Sequence, residues 1–187
     1  MPTPTPNSMP AAPARYDNIA IGFHWLLALL IVGAFGMGLY MTGLPFSVQR
    51  VKLYNWHKWA GMTILTLSAL RLLWRLWHPP PAEAPGPHWQ QLAARLAHRA
   101  MYVLFFAIPL VGWAYSSASG FQIVVYGVLP MPNLLPTDKA LAELIKPWHA
   151  WLAYALAALV VMHVAAGLKH HFIDHDGLLR RMRPGHS

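Results

Sequence analysis

Four stretches of this chain, residues 19–40, 54–77, 92–115 and 148–172, are each apolar over about the 20 residues needed to cross a bilayer. Four such segments in 187 residues leave room for little else, and they predict an all-α fold: one compact membrane bundle of four helices. Composition agrees. Only 11% of the residues are charged and 56% are apolar, whereas soluble domains carry about 25% charged residues. Most of the surface therefore does not face water. With no cysteine, disulfides, thiolate chemistry, zinc ribbons and cysteine-bound iron–sulfur clusters are excluded.

The net charge of +8 does not point to nucleic acid, because the cations follow the topology. Arg15, Arg71, Arg75, Arg95, Arg99, Lys169, Arg180, Arg181 and Arg183 flank one side of a four-helix arrangement, and Arg50, Lys52, Lys58, Lys139 and Lys146 the other. The richer side holds both termini, which predicts a multi-pass membrane protein with both termini cytoplasmic. Residues 1–13 lack a basic start followed by an apolar core, so they are no signal peptide. Residues 1–15 read as a disordered cytoplasmic tail, 16–176 as the transmembrane domain and 177–187 as a basic cytoplasmic tail.

Along the chain, Asp17 and Asn18 are capping residues for helix one, and Gly33, Gly36 and Gly38 allow close packing within it. The proline-rich connection from Pro79 to Pro87 cannot be helical. Pro109 and Gly112 predict a bend in helix three. The long connection over residues 116–146 is too apolar for a free linker and is expected to fold onto the outer end. Thr137 is expected to cap a short surface helix ending near Leu144, with Pro147 as its joint to helix four.

Five histidines lie within or at the rims of these spans: His24, His57, His98, His149 and His163. Ionisable groups in hydrocarbon are costly and mark function. His149 and His163 share one helix; fourteen residues put them on nearly one face, roughly 21 Å apart. By depth, His24 faces His163 near the cytoplasmic end, and His57 faces His149 near the outer end. Two imidazoles on one iron close both axial positions of a haem, which favours electron transfer over oxygen binding. A small residue follows each of the four by one turn (Ala28, Gly61, Ala153, Gly167), leaving room for a flat macrocycle. Tyr102 follows His98 by the same step, which leaves His98 outside the ligand set. His78, His88 and His186 read as solvated, and His170, His171 and His175 as a weak zinc motif with an interfacial role.

Taken together, the residues resemble the bacterial cytochrome b561 family, and within it the superoxide oxidase type. The similarity runs from Arg15 to Pro184. It rests on Arg15-Tyr16, His24-Trp25, His57-Lys58 with Gly61, Arg71 to Arg75, His98 with Tyr102, Pro109 and Gly112. Tyr126-Gly127 to Pro130, Trp148-His149, His163 to Ala166, His170-His171-Phe172 and Leu178 to Met182 complete it. The resemblance implies a four-helix inner-membrane bundle enclosing two b-type haems, with ubiquinone as electron acceptor. The family's axial ligands fall on His24, His57, His149 and His163. The resemblance leaves the electron donor open. The superoxide oxidase type, the reading favoured here, is an enzyme that takes electrons from periplasmic superoxide and passes them to ubiquinone, whereas related di-haem proteins take them from a partner.

Arg50, Lys52 and Lys58 at the mouth of helix two suit steering of a small anion; lipid headgroups or haem propionates are the equally simple alternative. His98, His170 and Arg71 are the candidates for quinone, with propionate pairing or snorkelling as the alternative for Arg71. A second reading keeps the haems but makes the chain an electron conduit and anchor for a partner dehydrogenase or hydrogenase. A haem-free metal transporter is disfavoured, since the spans contain no carboxylates.

Overall fold

The computed structural model describes residues 15–82, 86–183 and 185. Its frame is four helices, α1 (Asn18–Gly43), α2 (Val48–Trp77), α3 (His88–Ala118) and α4 (Lys139–Lys169). They run up and down, so both described chain ends lie at one end of the bundle. α1 packs on α2, α2 on α3 and α3 on α4, but α4 makes no comparable backbone approach to α1 or α2. The bundle is thus open along the seams beside α4.

Three of the four helix starts are closed by side chains. Asp17 accepts from the Ala20 N–H at 2.8 Å, Ser47 from Arg50 at 3.2 Å and Asp138 from Leu141 at 3.1 Å. Each satisfies a backbone donor that has no partner within its helix. The expected short helix capped by Thr137 is not formed. Asp138 is the cap, and α4 runs unbroken through Pro147. Ala142 in the first turn of α4 is 4% exposed and the Asp138 N–H donates to the Ala118 carbonyl at 2.9 Å, so this end of the helix is packed and tied although proline tends to end a helix. α3 likewise continues through Pro109 to Ala118.

The apolar connection folds onto the end of the bundle opposite the termini, as its composition requires. Its only strands among the described residues are β1 (Val124–Val125) and β2 (Leu129–Pro130), an antiparallel pair with Val125 opposite Leu129. Tyr126 and Gly127 both take positive φ at the turn, which is why a glycine stands there. Ile123 and Val125 bury against Met62 of α2, with Trp113 alongside. Trp59 donates to the Val124 carbonyl at 2.7 Å and Trp113 to that of Pro132 at 3.0 Å.

At the terminal end, α4 passes into a π-turn (His170–Asp174) and a 3-10 turn (Leu178–Met182). This basic segment folds back across α1. Tyr16 N–H donates to the Arg181 carbonyl, the Trp25 indole to Met182 at 2.8 Å and Arg15 to Arg183 at 2.9 Å. Residues 1–14, nearly all of the expected N-terminal tail, lie outside the described residues, as does His186.

α1, α3 and the stretch Lys139–Asp174 are long and apolar enough to cross a membrane. α2 is of similar length but carries Arg50, Lys52, Lys58, Arg71 and Arg75. Its cations lie towards its two ends, leaving residues 59–70 uncharged between them. Outward-facing Leu29, Val103 and Val161 are 71%, 65% and 68% exposed, a surface suited to lipid rather than water. The inward cluster is Met101, Leu104 and Phe105 of α3 with Leu156 of α4.

Candidate functional site

The open seams beside α4 are where the histidines meet. His24 of α1 and His163 of α4 have ring centres 6.2 Å apart, and His57 of α2 and His149 of α4 have theirs 6.0 Å apart. A metal–imidazole bond of roughly 2 Å, plus about 1 Å from nitrogen to ring centre, puts two rings on one metal about 6 Å apart. Both separations match that span. The pairing expected from depth is therefore what the fold brings together, in helix pairs whose backbones stand apart.

His149 shows the support such a ligand needs. Its Nδ1 lies 3.0 Å from the Ile108 carbonyl, an acceptor that fixes the Nδ1–H tautomer and leaves the Nε2 lone pair free for a metal. A Cβ on Gly112 would stand 2.9 Å from its Cε1, and one on Gly38 would stand 3.4 Å from Cε1 of His57. These two glycines seat the rings of the His57–His149 pair. Gly33 and Gly36 were expected to serve close packing, yet a Cβ on either meets nothing within 4 Å. Gly61 does border open space, whereas a Cβ on Gly167 would meet Leu179 at 3.3 Å. His57 Nδ1 is buried without a well-formed hydrogen bond, a polar atom that a ligand-bound ring would keep for water or a backbone carbonyl.

The terminal-end pair has a third imidazole. His98 of α3 has its ring centre 5.5 Å from that of His163, nearer than His24. α3 packs closely on α4 and brings His98 beside this pair. Arg71 and Arg75 of α2 lie over the Tyr102 ring at 5.4 and 5.6 Å, and the Tyr102 hydroxyl is buried without a partner. Tyr16, Arg71, Trp74, Arg75, His78 and Tyr102 line a pocket there. His78 is exposed, and its ring stacks on that of Trp74 with centres 3.9 Å apart. His170 stands two turns beyond His163 on about the same face. His170 gathers Asp174 and Asp176 around it, so the cluster is His–Asp–Asp and does not join His170 to His171 and His175.

Two carboxylates outside the spans are tuned by their bonds. Burial opposes ionisation of Asp17, but donors from Ala20 and the Trp74 indole (3.1 Å) outweigh it and hold the carboxyl below its ordinary value. Asp176 behaves alike: burial raises it, while the Leu178 N–H, His170 and Arg181 together bring it lower.

The cations at the opposite end do not form one cluster. Arg50 reaches the Tyr54 hydroxyl at 3.5 Å, and Lys58 lies over the Phe121 ring at 5.5 Å beneath the folded connection. Lys52 is exposed, and at 100° per residue it sits on about the opposite side of α2 from Arg50.

A family profile described as prokaryotic cytochrome b561 matches residues 15–185. The chain belongs to the prokaryotic cytochrome b561 family. It is 40% identical over 172 residues to cytochrome b561 homolog 2 of Escherichia coli K12, covering 91% of this chain and 92% of that protein. It is 31% identical to cytochrome b561 homolog 1 of the same organism, over 91% and 97% of the two chains. A Yersinia pestis protein named "Probable superoxide oxidase CybB" is 30% identical, over 91% and 96%. As a member of this family the chain is a helical membrane protein that binds b-type haem and transfers electrons across the membrane. The imidazoles and glycine seats described above fit that cofactor. Sequence reasoning missed the Ile108 carbonyl and Asp176, because neither contact follows from helical periodicity. Gly38 and Gly112 were visible, but as packing and bending residues.

Proposed function

We propose that the chain holds two b haems, one between His24 and His163 and one between His57 and His149, and that it oxidises superoxide and reduces ubiquinone. The observation that carries the two-haem reading is the pair of ring separations, 6.2 and 6.0 Å, contributed by two histidines of one helix. A bound haem supplies a one-electron carrier at each depth, and α4 fixes their spacing. The balance is two superoxide ions giving two dioxygen molecules and two electrons, with one quinone taking up both electrons and two protons. The cation-rich terminal end faces the cytoplasm of the inner membrane in this reading, so superoxide meets the His57–His149 end and quinone the His24–His163 end.

At the outer end Arg50, Lys52 and Lys58 supply positive potential for a small anion. At the inner end His98, His170 and Arg71 are the polar groups for a quinone head, with propionate pairing, together with Arg75, as the alternative use of Arg71. The superoxide reading draws on the name of the Yersinia relative, which is said of that protein. The test is the purified protein alone, mixed with a superoxide source and followed by haem absorbance. Rapid reduction abolished by superoxide dismutase is the expected result. Haems that stay oxidised until a dehydrogenase or hydrogenase is added would replace this reading with that of a partner-fed conduit.

A further inference from the structure

His170 closes α4 at the point where the helix loosens into the π-turn His170–Asp174. Such turns alter the register of the side chains that follow. Here the change brings the chain back on itself. His170 Nδ1 lies 2.6 Å from Oδ2 of Asp176 and 3.2 Å from Oδ2 of Asp174. The two carboxylates are not equivalent. Asp174 is already engaged by Lys169 at 2.6 Å, whereas Asp176 combines its contact with His170 with a backbone bond from the Leu178 N–H at 2.9 Å. Its backbone is fixed as well, by a hydrogen bond from Asp176 N–H to the His170 carbonyl and by left-handed residues on both sides, His175 at φ 51° and Gly177 at φ 74°. The following turn is tied to α1 through Trp25 and Tyr16.

From this geometry we infer that Asp176 is a positioning residue for proton delivery to quinone, holding His170 with Nδ1–H on its carboxylate so that Nε2 is the nitrogen that exchanges the proton. The inference rests on the quinone reading of His170 given above. A carboxylate only accepts, so the Nδ1 proton stays in the His170–Asp176 bond. When His170 also carries a proton on Nε2, that proton passes to a quinone oxygen as the second electron arrives, leaving the Nδ1–H tautomer. Water at the membrane surface then returns a proton to Nε2. This accounts for one of the two protons that quinol formation takes up. The charged groups facing the pair are Lys169, Asp174 and Arg181. Arg181 and the Leu178 N–H favour the ionised form of Asp176, which is the form an acceptor needs.

The test follows the re-oxidation of pre-reduced, haem-loaded protein by a short-chain ubiquinone in stopped flow. Asp176→Asn should slow re-oxidation by roughly tenfold to a hundredfold, by analogy with the loss when the carboxylate partner of a metal-bound imidazole is removed. The loss should fall on the maximal rate and leave the half-saturating quinone concentration unchanged. Haem absorbance should stay at the wild-type form, and the solvent deuterium isotope effect should rise. Asp176→Glu should restore part of the rate. Arg15→Gln, which removes a tie of the same segment without touching His170, should re-oxidise as the wild type does. If Asp176 acts through His170, His170→Ala and the double variant should be equally slow. Additive losses, or a wild-type rate in Asp176→Asn, would overturn the inference. Pre-reduced wild-type protein that quinone fails to oxidise would instead overturn the quinone reading beneath it.

Discussion

His149 Nδ1 stands 3.0 Å from the carbonyl of Ile108, the residue just before the proline of α3. One helix thus supplies the orienting acceptor for an imidazole on the next, and Gly112 clears the space in which that ring sits. The ring is placed by two helices and faces His57 on a third.

Replacing either member of this outer pair separates the two centres. His57→Ala or His149→Ala should remove one haem and leave the other spectrally intact, with a haem-to-protein ratio near one. The pairing fails if every such variant loses both haems while remaining folded.

Gly112→Ala tests the seat rather than the ligand. Alanine raises helix propensity by about 1 kcal/mol over glycine, so the helix itself should not suffer. The added Cβ, 2.9 Å from His149 Cε1, must displace the ring. Lower occupancy or a shifted absorption band of the outer haem alone is expected. Gly33→Ala, which meets nothing within 4 Å, should leave both haems unchanged.

Much of this was legible in the sequence, and the divide has a physical basis. Depth along a helix follows from residue number at a fixed rise, so the partners His24–His163 and His57–His149 could be matched without a structure. Azimuth and approach could not. Whether His98 points at His163 depends on how closely α3 packs on α4, and no local signal shows that α4 runs on through Pro147. Asp176 reaches His170 only because a π-turn and two left-handed residues reverse the chain, a departure from the helical period on which sequence reading relies.

His98 carries the sharpest test of the inner pair, since its ring is nearer to His163 than that of His24. His98→Ala should keep two low-spin haems and mainly slow quinone reduction. A variant lacking the inner haem, with His24→Ala retaining it, would assign the ligand to α3 instead of α1.

Asp17 couples the start of α1 to Trp74 of α2. Because its folded pKa lies below the ordinary value, its contribution is fully present above the unfolded pKa and is lost as pH falls through the folded one. Asp17→Ala should lower stability near neutral pH by about 1 kcal/mol, the usual worth of an N-cap. It should also flatten the loss of thermal stability on acidification below about pH 4. Melting in detergent across pH 3 to 7 reads both effects. An unchanged acid limb would assign acid unfolding to other carboxylates.

The outer cations decide between an enzyme fed by a diffusing anion and one fed by a partner. If Arg50, Lys52 and Lys58 steer superoxide, haem reduction should be second order and should slow as salt rises. Near 0.15 M the screening length is about 8 Å, so charges close to the outer haem still act there. Their positions on α2 predict unequal shares. Arg50 lies within about 20° of His57 around the helix and Lys52 on roughly the opposite side, so Arg50→Gln should cost more than Lys52→Gln. Lys58, held over Phe121 beneath the folded connection, should fall between them. The triple variant should lower the on-rate by a factor of order ten with little change in reduction potential. Equal effects of Arg50→Gln and Lys52→Gln would indicate a diffuse surface potential. A rate unaffected by all three, with altered extraction or stability, would assign these cations to lipid headgroups.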